Sequence, residues 1–124
     1  MPSPLWIGTD VVDLDRFRLA LRRTPSMVER VFTEGERAYS LRKKDPTERL
    51  AARFAVKEAT MKALGVGLGA FKFYDVEVTK ARSGEPSLKL SGRAVDLAAA
   101  RGITEWKVSI THSDLIALAV VIGQ

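Results

Sequence analysis

Arg53-Phe-Ala-Val-Lys57-Glu58-Ala-Thr-Met-Lys62-Ala-Leu-Gly65-Val-Gly67-Leu-Gly69 is the stretch on which the fold and its chemistry turn. It reads as the second half of a helix ending in a glycine-rich turn, with Gly65 suited to a left-handed C-cap. Between Glu48 and Asp75 the only acidic residue is Glu58, and Lys62 follows it by one helical turn. An i,i+4 salt bridge, good for about 0.3–0.5 kcal/mol on an exposed helix, is the simpler account of that pair. The apolar neighbours Ala51, Phe54, Ala55 and Ala59 support a second account, a desolvated carboxylate that needs a cation.

Upstream, Asp45-Pro46-Thr47-Glu48 has capping-box spacing with proline at the first helical position, so one long central helix should run to Leu64. Thr33-Glu34-Gly35-Glu36 has the same spacing and predicts a helix that fades near Lys43-Lys44. Residues 5–12 alternate as a strand with Trp6, Gly8, Asp10 and Val12 on one face. A helix over 13–23 follows, stopped at Thr24-Pro25, and a short helical turn carries Met27-Val28 and Val31-Phe32. Downstream, residues 75–81 and 87–90 pair across the turn Ser83-Gly84-Glu85-Pro86, and 92–101 make an alanine-rich helix closed by Gly102. A last hairpin joins 106–111 to 115–122 with His112-Ser113-Asp114 at its tip. Its second strand is apolar on both faces, which places it centrally or in an oligomer interface. The class is α+β with an antiparallel sheet and a long central helix, in a single domain over residues 1–124.

Composition bounds the partners. With 46% hydrophobic and 28% charged residues the chain has an ordinary globular composition. No apolar run approaches a membrane span, and Met1-Pro-Ser-Pro-Leu-Trp6 carries no export signal, so no membrane partner is expected. Zero cysteines exclude disulfides and thiolate metal sites and fit a cytoplasmic location. A net charge of +5 favours an anionic partner, whether nucleic acid, a phosphorylated small molecule or an acidic protein.

Asp10 changes the weight given to Glu58. An acid facing the core from a strand is costly unless paired, whereas Asp13 and Asp15 at a helix start need only the helix dipole. Asp10 and Glu58 offer two hard oxygen ligands, too few for a caged calcium site but suited to magnesium, which keeps waters and shares substrate phosphates. The Gly65-Val-Gly67-Leu-Gly69 turn follows its helix and lacks a Lys-Ser/Thr tail, so it is no phosphate-cradling P-loop. It is either a cap and bend or a place for close ligand approach. His112, in phase with Val108 and Ile110, reads by itself as a hairpin-tip histidine, and neither Ser109 nor Ser113 sits in a nucleophile elbow.

Three segments, in order and spanning nearly the whole chain, resemble one family. Ile7-Gly8-Thr9-Asp10-Val11-Val12-Asp13-Leu14-Asp15-Arg16, Arg53-Phe54-Ala55-Val56-Lys57-Glu58-Ala59 with Lys62-Ala63-Leu64-Gly65, and Val108-Ser109-Ile110-Thr111-His112-Ser113 with the strand after it are similar to the signatures of the holo-acyl-carrier-protein synthases, the small phosphopantetheinyl transferases. The resemblance implies transfer of the 4'-phosphopantetheine arm of coenzyme A to a serine of apo acyl carrier protein, in the service of fatty acid biosynthesis. It implies magnesium on Asp10 and Glu58, and Lys62 beside the leaving phosphate. It leaves open whether Glu58 or a magnesium-bound water takes the serine proton. Arg53, Gly65 and His112 fall on positions lining the coenzyme cleft, and Lys44, within Arg42-Lys43-Lys44, on one near the 3'-phosphate. Arg16 matches the arginine that docks the acidic carrier helix, with Arg22 and Arg23 as helpers. Small members are homotrimers with each site between two subunits.

The chain departs from the family pattern at Met61, where serine is frequent, at Val66, where threonine is frequent, and at Glu85, which replaces a lysine. The competing reading is a basic nucleic-acid-binding module. It rests on charge alone, lacks any recognition motif, and leaves Asp10 and Glu58 without a role.

Overall fold

The structure, a computed structural model, describes residues 4–124. Met1, Pro2 and Ser3, at the head of the segment read as free of an export signal, lie outside the described residues. The elements run β1 (Trp6–Asp13), α1 (Leu14–Arg23), α2 (Met27–Val31), α3 (Glu34–Ser40), α4 (Thr47–Leu64), a 3-10 turn (Phe73–Asp75), β2 (Val76–Lys80), β3 (Pro86–Leu90), α5 (Gly92–Ala100), β4 (Trp106–His112) and β5 (Ile116–Gly123). Among the described residues no helix is long and apolar enough to cross a membrane.

The strands form two antiparallel sheets. One has the order β1-β5-β4, and the other is the β2-β3 hairpin. Asp10 and Ile110 both stand opposite Ala119, from the two sides of β5. The doubly apolar β5 is thus central. Ala117, Ala119 and Val121 are buried on its inner face, while Leu118, Val120 and Ile122 are half-buried on the other.

Small residues set how closely α4 lies on this sheet. The helix turns Ala51, Ala55, Ala59 and Ala63 inward, and β1 answers with Gly8. A Cβ on Gly8 would stand 1.8 Å from the Ala59 carbonyl oxygen and 2.7 Å from the Ala63 nitrogen. Only glycine admits that approach. It brings the next inward residue of β1, Asp10, alongside the Glu58 to Lys62 turn of α4.

Both ends of α4 follow from local chemistry. Gly65, at φ +68°, takes the left-handed cap, and Val66 N–H donates to the Met61 carbonyl at 3.0 Å. At the start, the Asp45 carboxylate accepts from the Thr47 amide at 3.0 Å and the Thr47 hydroxyl at 2.6 Å. This is a bond to the second residue on, where a capping box was expected, and Glu48 turns instead toward His112. The Thr33–Glu36 capping box does form. Its helix stops at Ser40, short of Lys43-Lys44, with Leu41 as its C-cap donating to the Arg37 carbonyl.

Glu36 does more than cap. Its Oε1 accepts from Thr33 N–H at 3.0 Å and from Lys57 Nζ at 2.7 Å, and its Oε2 accepts from Val78 N–H at 2.9 Å. Lys57, with no exposed surface, also donates to the carbonyls of Phe73 (3.1 Å) and Val76. Burial pulls the Lys57 ammonium below its ordinary value, and the Glu36 charge and hydrogen bond resist it. One carboxylate therefore joins α3, α4 and β2, a job for buried ions only when every lone pair is answered.

Candidate active site

Asp10 and Lys62 meet across the β1–α4 contact, with Lys62 Nζ 3.3 Å from Asp10 Oδ1. The simple i,i+4 bridge expected between Glu58 and Lys62 is not what forms. The lysine reaches the strand, and among the described residues Glu58 has no ion pair. Asp10 keeps 17% of its side chain exposed and Lys62 57%, so the ammonium is free to turn toward another anion.

Glu58 lies half-buried at a cleft whose floor is Phe17, Phe54 and Met27 and whose rim is Asp10, Asp13 and Arg16. The aromatic floor continues inward, Phe54 packing 5.5 Å from both Phe17 and Phe73. Burial, and after it the Asp10 charge, push the Glu58 carboxyl above its ordinary range, while Lys62 pulls the other way. A carboxylate pair held this way is short of positive charge. It has two hard oxygen donors and, among the described residues, no third acidic, histidine or cysteine ligand. That donor set suits a cation that completes its shell from water and substrate.

Arg53 and His112 are on another face. Five residues before Glu58, Arg53 leaves α4 on the far side and lines a second cleft of about 340 Å³ with Tyr39, Lys43, Arg49, Lys80 and His112. The His112 Nδ1 lies 3.5 Å from Glu48 Oε1. The β2–β3 turn closes one side of this cleft with Gly84 and Pro86, which puts the exposed Glu85 between two lining residues. Lys43 faces this cleft, whereas Lys44 lines a neighbouring hollow with Arg18 and Arg22.

Gly65 opens the glycine turn beyond Lys62. A Cβ on Gly65, Gly67 or Gly69 would touch nothing within 4 Å, so the turn borders open space. Met61 is buried in the apolar cluster of Leu64, Phe71 and Val76 and does not face the turn. On α1, Arg16, Arg22 and Arg23 are exposed and unpaired among the described residues. Arg18 differs, bound to Asp15 at 2.9 Å and to Asp45 at 3.1 Å.

Sequence reasoning missed Tyr39, Arg49 and Lys80 as a group, and the Phe17–Met27 floor. No local pattern announces them, because their partners come from different elements.

The sequence from residue 7 to residue 118 matches the 4'-phosphopantetheinyl transferase superfamily. It is 43% identical over 115 residues to the holo-[acyl-carrier-protein] synthase of Moorella thermoacetica, covering 93% of this chain and 90% of that protein. Among solved structures, the chain superposes on the holo-[acyl-carrier-protein] synthase of Neisseria meningitidis with a TM-score of 0.86 at 28% identity, covering 95% of this chain and 96% of that one. The Helicobacter pylori synthase, solved in complex with coenzyme A, gives 0.83 at 31% identity, covering 95% and 99%.

Proposed function

The chain belongs to the 4'-phosphopantetheinyl transferase superfamily, and from that premise we propose which of its residues carry the transfer. The protein is a holo-[acyl-carrier-protein] synthase that moves the 4'-phosphopantetheine of coenzyme A onto a serine of apo acyl carrier protein. The serine oxygen bonds the phosphorus that carries the pantetheine arm. That phosphorus parts from the oxygen of the adenosine 5'-phosphate, and adenosine 3',5'-bisphosphate leaves. Catalysis of such a step is chiefly positioning and charge stabilisation.

The observation that carries the residue assignment is the Asp10–Lys62 contact beside a half-buried Glu58. Asp10 and Glu58 would hold magnesium, whose charge would offset that of the pyrophosphate. Lys62 turns from Asp10 to the leaving phosphate and stabilises the charge that builds there. Glu58 would also accept the serine proton once the hydroxyl comes within hydrogen-bond reach. The open Gly65 turn leaves room for the coenzyme beside Lys62.

The second cleft takes the nucleotide phosphates on Arg53, His112 and neighbouring cations. Since Glu58 and Arg53 face different clefts, a complete site needs the nucleotide half from one copy and the carboxylate half from the next. The outer face of the three-stranded sheet supports such a homotrimer, because Ile7 (62% exposed) and Val11 (56%) lie beside the half-buried Leu118, Val120 and Ile122. The acidic carrier helix docks on Arg16, with Arg22 and Arg23 along the same helix. A cytoplasmic location belongs to the same reading.

The test is direct. The protein is incubated with coenzyme A, magnesium and apo carrier protein, and the carrier is weighed by mass spectrometry. A phosphopantetheine adduct is expected, and its absence with several apo carriers would refute the assignment.

A further inference from the structure

Tyr39 is an unusual neighbour for three cations. The Arg49 guanidinium lies 4.1 Å from its ring centroid, the Arg53 guanidinium 4.4 Å, and the Lys80 ammonium 5.4 Å. Polar bonds lock the same group. Arg49 Nη1 donates to the Tyr39 carbonyl at 2.8 Å, Arg53 Nη1 to the Arg49 carbonyl at 3.2 Å, and Lys80 Nζ to the Tyr39 hydroxyl at 3.3 Å.

Among the described residues no carboxylate pairs with Arg49, Arg53 or Lys80. Arg53 is only 8% exposed, and its Nε has no hydrogen-bond partner. Like charges so close repel, and an aromatic face offsets only part of that cost. The excess positive charge opens into the cleft that His112 borders. A polyanion entering there would meet that excess positive charge.

We propose that Tyr39 is a positioning residue for the coenzyme, its ring and hydroxyl preassembling Arg49, Arg53 and Lys80 into one receptor for the phosphates of the nucleotide half. This rests on the reading that the second cleft takes that nucleotide. Tyr39 itself need touch no substrate atom. The ring packs against both guanidiniums where they line the cleft, which holds their charge in place for a phosphate. The hydroxyl selects one place for a lysine that would otherwise wander. Burial raises the phenol's affinity for its proton, but the Lys80 hydrogen bond and the three positive charges together outweigh it and bring the group below its ordinary value. That shift reports the same concentrated field.

The experiment is steady-state kinetics on the full chain with coenzyme A and apo carrier protein. Tyr39→Leu should raise KM for coenzyme A about tenfold, leaving kcat at saturating coenzyme and KM for the carrier within about twofold. Tyr39→Phe, which keeps the ring and loses the hydroxyl, should raise it only about threefold. Arg49→Ala provides the control for the cleft itself. If Arg49→Ala raises KM for coenzyme A and Tyr39→Leu does not, the positioning role is wrong while the cleft assignment stands. If neither raises it, the cleft assignment fails and takes this proposal with it. Equal losses in kcat and in both KM values would mark Tyr39 as a general fold residue and overturn the proposal.

Should Tyr39→Leu not fold, Tyr39→Phe and Lys80→Met decide the question. Each should raise KM for coenzyme A about threefold, with the double variant no worse than the poorer single one. Additive effects would show that the hydroxyl does not act through Lys80.

Discussion

Lys62 reaches from α4 to Asp10 on β1, 3.3 Å away, and passes over Glu58, the acid one turn before it on its own helix. One ammonium thus serves a corner that holds two carboxylates. The corner is preloaded with negative charge, and the half-exposed Lys62 ammonium can be shared with a substrate phosphate.

Replacing either acid should therefore stop the chemistry and spare the fold. Asp10→Ala and Glu58→Gln are each expected to lower adduct formation by at least about 100-fold, with unfolding transitions close to that of the parent. Mass spectrometry of the carrier and thermal melts check both halves. Turnover retained in both variants would remove the carboxylate pair from the mechanism.

Gly8 is a stronger test of the architecture. A methyl group there meets the Ala59 carbonyl at 1.8 Å, so β1 and α4 must separate. Gly8→Ala should destabilise the protein by about 3 kcal/mol, read from the denaturant midpoint. An unmoved midpoint would show that helix and strand are not in the contact described.

The buried Lys57–Glu36 pair predicts an asymmetry between single and double variants. Lys57→Met strands a carboxylate with no exposed surface and should cost about 3–5 kcal/mol. Combining it with Glu36→Gln removes the stranded charge and should recover part of that loss. A double variant less stable than Lys57→Met by the full cost of Glu36→Gln would contradict the coupling.

Asp45 offers a pH signature. Its bonds to Thr47, opposed by slight burial and aided by Arg18, hold its carboxyl below the ordinary range. A carboxylate whose native value is depressed stabilises the fold above its unfolded titration, near pH 4, and loses that contribution as pH falls through the lower native value. Asp45→Ala should lower stability at pH 7 and have little effect at the acid end of the window. A difference that persists unchanged in acid would exclude the carboxylate as its source.

Arg16 and Arg18 should separate binding from scaffolding. Arg16 is exposed and unpaired, while Arg18 is tied to Asp15 and Asp45. Arg16→Glu is expected to raise KM for the carrier about tenfold and leave KM for coenzyme A nearly unchanged. Equal effects on both would refute a docking role.

What was legible in the sequence was whatever a few neighbouring residues decide. The Thr33–Glu36 box, the Gly65 cap, the inward face of β1 and the central place of β5 all follow from short-range pattern and form as expected. The resemblance at Asp10, Glu58 and Lys62 pointed to one corner, and those three residues do come together. Long-range electrostatics escaped. Glu36 read as a cap because its other partners, Lys57 and Val78, are 21 and 42 residues away. Helical spacing offers Lys62 only Glu58 as a partner, because the close approach that delivers Asp10 depends on Gly8, Ala59 and Ala63 acting together. The β2–β3 pairing forms as expected, but its standing apart from the three-stranded sheet does not follow from the sequence, because alternation and a turn specify a hairpin and not the sheet it joins.

The Glu36 joint also bears on the cation-rich cleft. The three elements that it ties, α3, α4 and β2, are those that supply Tyr39, the two arginines and Lys80. The α3, α4 and β2 walls of the cleft cannot part from one another unless a fully buried ion pair or its amide bond is broken. The Val78 amide should consequently exchange with deuterium only when the whole domain opens. On the proposed assignment the nucleotide would meet a rigid socket, and its binding should leave the exchange pattern of these three elements almost untouched.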